Sequence, residues 1–231
     1  MTVSTEHTIG VAIVDDQRLF RSGLRMLIQS QADMRFCGEA GDGENAVSLA
    51  VRERPHVILM DVRMPILDGV QATRRILDEW ADDDGAAPRI IGLTTYNQDQ
   101  AVIQAIQAGA SGFLLKSAEP DFLLAAIRTV HRGQSVVAAG DTHRLFQAQE
   151  IQSPRPNTKI LDVLSAREVQ VFILAAKGLS NTEIGQNLFV SEGTVKSHIR
   201  TILAKLARRT RIQLVTLAHE NHLLGTSPDA H

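Results

Sequence analysis

The sequence contains a single cysteine, Cys37, and no apolar run long enough to cross a membrane. One cysteine excludes an intrachain disulfide and fits a reducing compartment. A membrane-spanning helix needs about 18 consecutive apolar residues, and the opening segment MTVSTEHT lacks the apolar stretch of a secretion signal. We therefore expect a soluble, cytoplasmic protein with no membrane contact, in which Cys37 is a small core residue.

Two phosphate-binding motifs of nucleotide-dependent proteins are also missing. The chain has neither GxxxxGK[ST] nor GxGxxG, so nucleotide binding is not predicted. No internal repeat or long low-complexity segment is present. The 231 residues are 44% hydrophobic and 22% charged, an ordinary globular composition that predicts one domain of about 130 residues and a smaller one.

Charge is distributed unevenly along the chain. Residues 1–132 contain 13 basic and 18 acidic side chains, whereas residues 161–231 contain 8 and 6. Within residues 192–211, six basic side chains accompany one acidic side chain. We predict two domains with different partners, at 1–132 and 161–231. Residues 133–160 would connect them through a short helix at 139–149 and a linker at 151–157 that contains two prolines.

Short apolar runs alternate with helical periodicity in the first 132 residues, which is typical of a parallel sheet covered by helices on both faces. We predict five strands at residues 9–14, 34–40, 57–60, 89–93 and 112–115. An apolar stripe that starts with Leu19 and Phe20 predicts an amphipathic first helix. The expected fold class is a doubly wound α/β domain with a five-stranded parallel sheet, followed by a small all-α domain.

Polar side chains follow four of the predicted strands. Asp15 and Asp16 come after the first, Asp61 after the third, Thr94 after the fourth and Lys116 after the fifth. Three carboxylates at one sheet edge repel one another unless a cation neutralises them, and an oxygen-only ligand set favours Mg²⁺. A lysine ammonium and a threonine hydroxyl can hold phosphoryl oxygens. Each residue alone has an ordinary alternative, such as a helix cap at Asp16, but together they predict a phosphoryl-binding site.

The segments IVDDQ, MDVRMPILDG, LTT and GASGFLLKS occur in this order and resemble the receiver domain of two-component response regulators. The resemblance covers the first domain and implies a flavodoxin-like fold. It also implies that a sensor histidine kinase phosphorylates Asp61, and that Thr94 and Lys116 hold the phosphoryl oxygens.

The same resemblance implies the ligands of a Mg²⁺ ion. Asp16 and Asp61 would bind the ion directly, Asp15 would act largely through water, and the backbone carbonyl of Arg63 would complete the set of protein ligands.

The resemblance also places Phe113 at the switch-aromatic position, where many receivers have tyrosine. A hydrogen bond from a tyrosine hydroxyl is therefore impossible here.

Serine residues mark the starts of three helices in the last part of the chain. Ser165 and Ser180 begin S-x-x-E capping boxes, and Ser191 can cap a helix that begins at Glu192. Only Leu-Phe-Val separates the second helix from the third, which is consistent with a helix-turn-helix. The third helix has an apolar arc, opposite a polar arc that is available to a DNA groove. The apolar arc consists of Val195, Ile199, Ile202, Leu203 and Leu206.

The stretch LSAREVQVFILAAKGLSNTEIGQNLFVSEGTVKSHIRTILAKL resembles the LuxR-type output domain of NarL/FixJ-family regulators. This resemblance implies that Lys196, Ser197 and Arg200 face the groove of double-stranded DNA. Thr194 and Lys205 would contact phosphates or have a structural role.

The last helix, from about residue 210, has apolar side chains on two faces. Ile212 and Val215 lie on one face, and Leu214, Leu217 and Ala218 lie on the other. Because a small domain would not bury both faces, we predict that one is a homodimer surface. A dimer would present two recognition helices to successive major-groove segments.

We expect a transcriptional regulator and not an enzyme, in which phosphorylation of Asp61 promotes dimerisation and DNA binding. Two alternatives stay open at this stage. An aspartyl-phosphate hydrolase would need a second aspartate two residues after Asp61, where Arg63 stands. A regulator controlled by partner docking, without phosphorylation, would not need the acidic cluster.

Overall fold

Two units make up the chain, residues 1–140 and 141–231. The computed structural model describes residues 8–80, 87–95, 99–138, 157–221 and 223–224. The predicted connecting helix at 139–149 and most of the predicted linker lie outside these residues. Within the described ranges, no helix is long and apolar enough to span a membrane.

The first unit alternates parallel strands with helices. Its strands are β1 Ile9–Val14, β2 Met34–Ala40, β3 Val57–Asp61, β4 Arg89–Thr94, β5 Gly112–Leu115 and β6 Val136–Ala138. Its helices are α1 Arg18–Gln29, α2 Gly43–Glu53, α3 Gly69–Glu79, α4 Asp99–Ala108 and α5 Pro120–His131. The strand order is β2-β1-β3-β4-β5-β6, and every neighbouring pair is parallel. The doubly wound α/β fold is confirmed.

The prediction of five strands was one strand short. Strand β6 runs parallel to β5, with Gly112 opposite Val136 and Leu114 opposite Ala138. Its three residues are too few to show an apolar alternation, and the strand forms because β5 offers an unpaired edge. Part of the segment predicted as a connection therefore completes the sheet.

Apolar side chains form one core cluster on each face of this sheet. One cluster contains Leu24 of α1 and Ile127 of α5, and the other contains Leu49 of α2 and Ile76 of α3. Strands β1 and β3 are buried along their whole length, as is typical of a sheet covered on both faces. Polar side chains are thus placed at the ends of the strands.

The stripe predicted for α1 was partly wrong. Leu24 and Ile28 are buried and Phe20 packs against the core, but Leu19 is 87% exposed. The periodicity located the helix correctly and included one residue that faces outward.

The chain returns so closely after β3 that Gly69, the first residue of α3, lies against the backbone of Asp61. The N–H of Gly69 donates to the carbonyl oxygen of Val62 at 3.0 Å. A Cβ atom at position 69 would lie 2.0 Å from the carbonyl oxygen of Asp61. Only glycine fits this position, and its contact fixes the loop beside the end of β3.

Gly69→Ala should lower the free energy of unfolding of the first unit by about 3 kcal/mol, because main-chain atoms must move. Gly23→Ala is the matched control, since a Cβ there meets no described atom within 4 Å. In the interior of α1 the control should raise stability by about 0.5–1 kcal/mol. Urea unfolding followed by fluorescence of Trp80, the only tryptophan and a core residue of this unit, measures both. Equal changes in the free energy of unfolding of the two variants would contradict the close approach of residue 69 to the backbone of Asp61.

The second unit is all-helical within its described residues. A 3₁₀ turn, Thr158–Leu161, precedes α6 Ala166–Ala176, α7 Asn181–Leu188, α8 Glu192–Lys205 and α9 Arg211–Glu220. Both predicted capping boxes form, and Ser191 accepts a hydrogen bond from the N–H of Thr194. These caps satisfy backbone donors at the start of three successive helices. One apolar core, which includes Phe172, unites the four helices.

Candidate functional site

The carboxyl edge of the sheet brings Asp15, Asp16 and Asp61 together. One carboxylate oxygen from each residue lies within 4.8 Å of the other two. Asp15 and Asp61 are buried, whereas Asp16 is exposed. This cluster of hard oxygen donors could bind a metal ion.

Lys116 lies against the two buried carboxylates. Its Nζ atom is 2.6 Å from Oδ2 of Asp15 and 2.7 Å from Oδ2 of Asp61. The backbone N–H of Lys116 donates to the carbonyl oxygen of Thr94 at 2.6 Å, which joins the ends of β5 and β4. The side chain of Thr94 is buried at this same edge, and Thr95 is exposed. Asp61, Thr94 and Lys116 therefore meet where the sequence places them.

Burial raises the pKa of Asp61, although hydrogen bonds from Lys116 and from the N–H of Arg63 act in the opposite direction. The negative charge of Asp15 raises it further. Burial alone would lower the pKa of Lys116, but its contacts with the negatively charged carboxylates of Asp15 and Asp61 together outweigh burial and raise it. The ammonium is thus held in its charged form, and a further cation would favour full ionisation of the carboxylates.

The backbone on either side of the cluster is fixed by carboxylate contacts. Oδ1 of Asp15 accepts from the N–H of Gln17 at 2.9 Å, and Oδ1 of Asp61 accepts from the N–H of Arg63 at 3.1 Å. Helix α1 has Gln17 as its N-cap, without a side-chain cap. The helix-cap alternative for Asp16 is therefore wrong, and its carboxylate faces solvent beside the other two.

Phe113 is completely buried in β5. A Cβ atom at Gly92 would lie 2.9 Å from Cδ2 of the Phe113 ring, so the small residue in β4 leaves the space that the ring fills. The switching role of Phe113 stays a prediction.

A second aromatic residue, Phe20, contacts the site, and its place in the apolar stripe of α1 did not predict this contact. The ammonium of Lys116 lies 5.1 Å from the centre of the Phe20 ring, within the range of a cation–π interaction. The feature of the sequence that could have predicted this contact is the position of Phe20, in the first turn of the helix that follows Asp15 and Asp16.

The two central helices of the second unit are joined by a tight turn. Phe189 adopts a left-handed conformation with φ of 55°, and the N–H of Val190 donates to the carbonyl oxygen of Gly185 at 3.0 Å. A Cβ atom at Gly185 would lie 2.7 Å from the carbonyl oxygen of Val190. Glycine there permits the close approach of α7 and α8 that the helix-turn-helix requires.

The two arcs of α8 separate as predicted. Val195, Ile199 and Ile202 are buried, and Leu203 and Leu206 pack against the same core. The polar residues Thr194, Lys196, Ser197 and Arg200 are exposed. The helix therefore presents a basic, polar surface that is free of core contacts.

Lys205 has an internal partner. Its Nζ atom lies 2.7 Å from Oε2 of Glu168, the residue that closes the capping box of α6. This geometry favours the structural alternative for Lys205 over a phosphate contact.

Glu168 should make the second unit sensitive to acid. Contacts with Lys205 and Ser165 lower its pKa from 4.5 to about 2. Its stabilising contribution is therefore complete above pH 4.5 and is lost as the pH falls toward 2. In the wild type, the protection of the α6 amides from hydrogen exchange should decline as the pH falls from 4.5 toward 2. In Glu168→Gln the decline should be less steep. Parallel pH profiles in the two chains would contradict the assignment.

Arg211 is a buried residue that the sequence did not single out. Its guanidinium donates to Oδ1 of Asn181 at 2.7 Å and to the carbonyl oxygen of Leu179. It therefore joins the start of α9 to the start of α7. An arginine in a basic segment is expected on the surface, so local sequence gave no signal of this role.

The prediction of a dimer surface on α9 assumed that a small domain would not bury both apolar faces of this helix, and that assumption was wrong. Ile212 on one face is buried, as are Leu214, Leu217 and Ala218 on the other, and only Val215 among these five residues is half-buried. The chain therefore covers most of both faces, and homodimerisation stays a prediction.

The first unit is a parallel α/β domain with an acidic cluster and a lysine at its carboxyl edge, and the second contains a helix-turn-helix. Together they define a two-domain signalling regulator. The first domain has an acidic cluster that could hold a metal ion, and the second has exposed basic and polar side chains on a helix of its helix-turn-helix.

Comparison with known families agrees with both halves of this description. Residues 11–128 match the response regulator receiver domain, and residues 162–218 match the bacterial regulatory proteins of the luxR family. The chain belongs to the two-component response regulators with a LuxR-type DNA-binding domain, which are transcriptional regulators and not catalytic enzymes.

Relatives that match over most of both chains include the transcriptional regulatory protein LiaR of Bacillus subtilis, at 39% identity over 94% of this chain and 100% of LiaR. The oxygen regulatory protein NreC of Staphylococcus aureus is 34% identical over 93% of this chain and 98% of its own. Among solved structures, the response regulator ChrA of a heme-sensing two-component system matches with a TM-score of 0.50 and 30% identity. That match covers 94% of this chain and 99% of ChrA.

Proposed function

We propose that Asp61 accepts a phosphoryl group from a sensor histidine kinase, and that this event controls DNA binding by α8. The observation that carries the proposal is the position of the Lys116 ammonium between the carboxylates of Asp15 and Asp61, beside exposed Asp16. Such an arrangement can neutralise charge on a transferring phosphoryl group. A hydrolase is disfavoured because Arg63, and not an aspartate, stands two residues after Asp61.

In this reaction a carboxylate oxygen of Asp61 attacks the phosphorus of a phosphohistidine on the kinase. A P–O bond forms, the P–N bond breaks, and the imidazole leaves with its electron pair. Lys116 and the hydroxyl of Thr94 hold phosphoryl oxygens in position.

The donor set fits Mg²⁺, because the site offers carboxylate oxygens together with the nearby backbone of Arg63. We propose Asp16, Asp61 and the carbonyl of Arg63 as direct ligands, with Asp15 acting largely through water. Bound Mg²⁺ would supply charge neutralisation at the phosphoryl oxygens.

Phosphorylation adds a charge of about −1.5 to −2 at Asp61. The new charge attracts Lys116 and Thr94, and it biases the face formed by α4, β5 and α5 between two arrangements. Phe113 would be the buried aromatic that changes its packing. We propose that the phosphorylated form dimerises.

DNA binding would use the exposed face of α8. Lys196, Ser197 and Arg200 would enter the major groove, and Thr194 would contact a phosphate. The phospho-accepting function would belong to residues 1–132 together with β6, and the DNA-binding function to 161–231, with the residues between them as the connection.

Removal of Mg²⁺ tests the site without changing the sequence. Full-length protein should incorporate phosphate from radiolabelled acetyl phosphate in the presence of Mg²⁺. Chelation with EDTA should abolish the labelling, and excess Mg²⁺ should restore it. Equal labelling with and without EDTA would contradict the proposed metal requirement.

A further inference from the structure

Arg21 of α1 reaches back to the end of β1, where it binds two consecutive carbonyl groups of the main chain. Its Nη1 atom donates to the carbonyl oxygen of Asp15 at 2.6 Å and to that of Asp16 at 3.3 Å. The side chain is only 14% exposed, although arginine side chains are mostly solvated. Arg21 is therefore directed at the main chain beside the acidic cluster and away from solvent.

The two carbonyl groups belong to the peptide units on either side of the Cα atom of Asp16. The carbonyl of Asp15 is part of the unit that precedes this atom, and the carbonyl of Asp16 is part of the unit that follows it. Because each peptide unit is planar, a donor that holds both carbonyls restricts φ and ψ of Asp16. These angles set the direction of its Cα–Cβ bond, and so the direction in which its carboxylate points.

The carboxylate of Asp16 depends on such support more than the other two carboxylates of the cluster do. Asp15 and Asp61 each contact the ammonium of Lys116, and each accepts a backbone N–H. In the part of the chain that the structure describes, no hydrogen bond or ion pair holds the exposed carboxylate of Asp16. Its direction is therefore set by the main chain that carries it.

We propose that Arg21 is a positioning residue for the divalent cation, because it fixes the main chain of Asp16 and so holds that carboxylate beside Asp61. The inference rests on the proposed function, in which Asp16 is a direct ligand of Mg²⁺. Removal of a group that orients a metal ligand typically lowers metal affinity by about 10- to 100-fold. Arg21 would act through Asp16 and would not touch the ion.

A structural link between α1 and β2 is the ordinary alternative for Arg21. Its Nε atom lies 3.4 Å from Oε1 of Glu39, and the Glu39 side chain is 33% exposed. Ion pairs between partly exposed side chains contribute little to stability. The contact with the carbonyl of Asp15 is much shorter, at 2.6 Å, as is typical of a strong hydrogen bond from a charged donor. The geometry therefore favours the main chain as the principal partner of Arg21.

The sign of the effect on metal binding separates positioning from charge. A guanidinium beside the site repels a divalent cation, so removal of a charge alone would tighten cation binding. Removal of a positioning residue would weaken it. Arg21→Met distinguishes the two roles, because methionine is unbranched and has neither the positive charge nor a donor.

Binding of Mn²⁺ to the full-length, unphosphorylated chain measures the site without the phosphoryl reaction. Mn²⁺ favours the same oxygen ligands as Mg²⁺, and electron paramagnetic resonance measures its free concentration. Arg21→Met should raise the dissociation constant of Mn²⁺ by about ten-fold. Arg21→Lys keeps the charge on a shorter side chain and should raise it by about three-fold.

Glu39→Gln is the matched control. It removes the ion pair with Arg21 and leaves both carbonyl contacts in place, so it should bind Mn²⁺ like the wild type. Urea unfolding followed by Trp80 fluorescence shows whether each variant is folded.

Labelling from acetyl phosphate gives a second readout. In Arg21→Met the Mg²⁺ concentration for half-maximal labelling should rise by about ten-fold, and the deficit should shrink as Mg²⁺ is added. A deficit of the same size at every Mg²⁺ concentration would overturn the inference, because it would not arise from metal affinity.

The outcomes distinguish this inference from the proposed function. A wild-type chain that neither binds Mn²⁺ nor is labelled with Mg²⁺ would overturn the proposed function and this inference with it. If the wild type binds Mn²⁺, equal or tighter binding by Arg21→Met would overturn the inference alone, and so would equal weakening in Glu39→Gln. If Arg21→Met does not fold, Arg21→Lys decides, and wild-type affinity in that variant would overturn the inference.

Discussion

Asp61→Asn should abolish incorporation of phosphate from acetyl phosphate, with labelling reduced to background. The substitution keeps the size of the side chain but removes the nucleophilic carboxylate, and the amide cannot form an acyl phosphate. Lys116 would lose one of its two carboxylate partners and keep Asp15. Labelling is measured on the intact protein by radioactivity and by mass.

Asp121→Asn is the control for that experiment, because Asp121 is an exposed carboxylate of the same unit, outside the acidic cluster. It should be labelled like the wild type. Retention of labelling in Asp61→Asn would show that another residue accepts the phosphoryl group.

Replacement of both Lys196 and Arg200 by alanine should lower DNA affinity by about 100-fold, if each contact contributes roughly 1.4 kcal/mol. Both side chains are exposed on the face of α8 that is opposite to the core. Each phosphate contact that is lost should also reduce the slope of log affinity against log salt by about 0.9. Binding is measured by fluorescence anisotropy on a duplex that the wild-type chain selects from a random library.

A charge-matched control separates recognition from net charge. Lys159 and Lys177 are exposed and lie outside α8, so their double replacement by alanine removes the same two positive charges. This variant should keep most of the affinity. Equal losses in the two double variants would show that α8 is not the DNA-binding face.

Strand periodicity predicted the positions of the acidic cluster and its lysine. Parallel strands end at the same sheet edge, so Asp15, Asp61 and Lys116 could be placed together before their distances were known. The structure adds that Lys116 bridges two of the carboxylates. Helix caps were equally predictable, because each depends on residues within one turn of the chain.

The features that sequence did not predict depend on contacts between distant residues. Strand β6 needs the open edge of β5, the partner of Lys205 is 37 residues away, and Phe20 reaches Lys116 from another element. Burial of both faces of α9 likewise depends on how the four helices pack. Local periodicity describes one element at a time and has no information on these pairings.

The central claim is that phosphorylation of Asp61 controls DNA binding, and DNA affinity measured against the phosphorylated fraction tests it most directly. With acetyl phosphate and Mg²⁺, affinity for the selected duplex should rise by at least about ten-fold, in the range of typical coupling energies. The increase should be absent in Asp61→Asn. Identical affinity of the phosphorylated and unphosphorylated wild-type chains would contradict the account and favour control by partner docking.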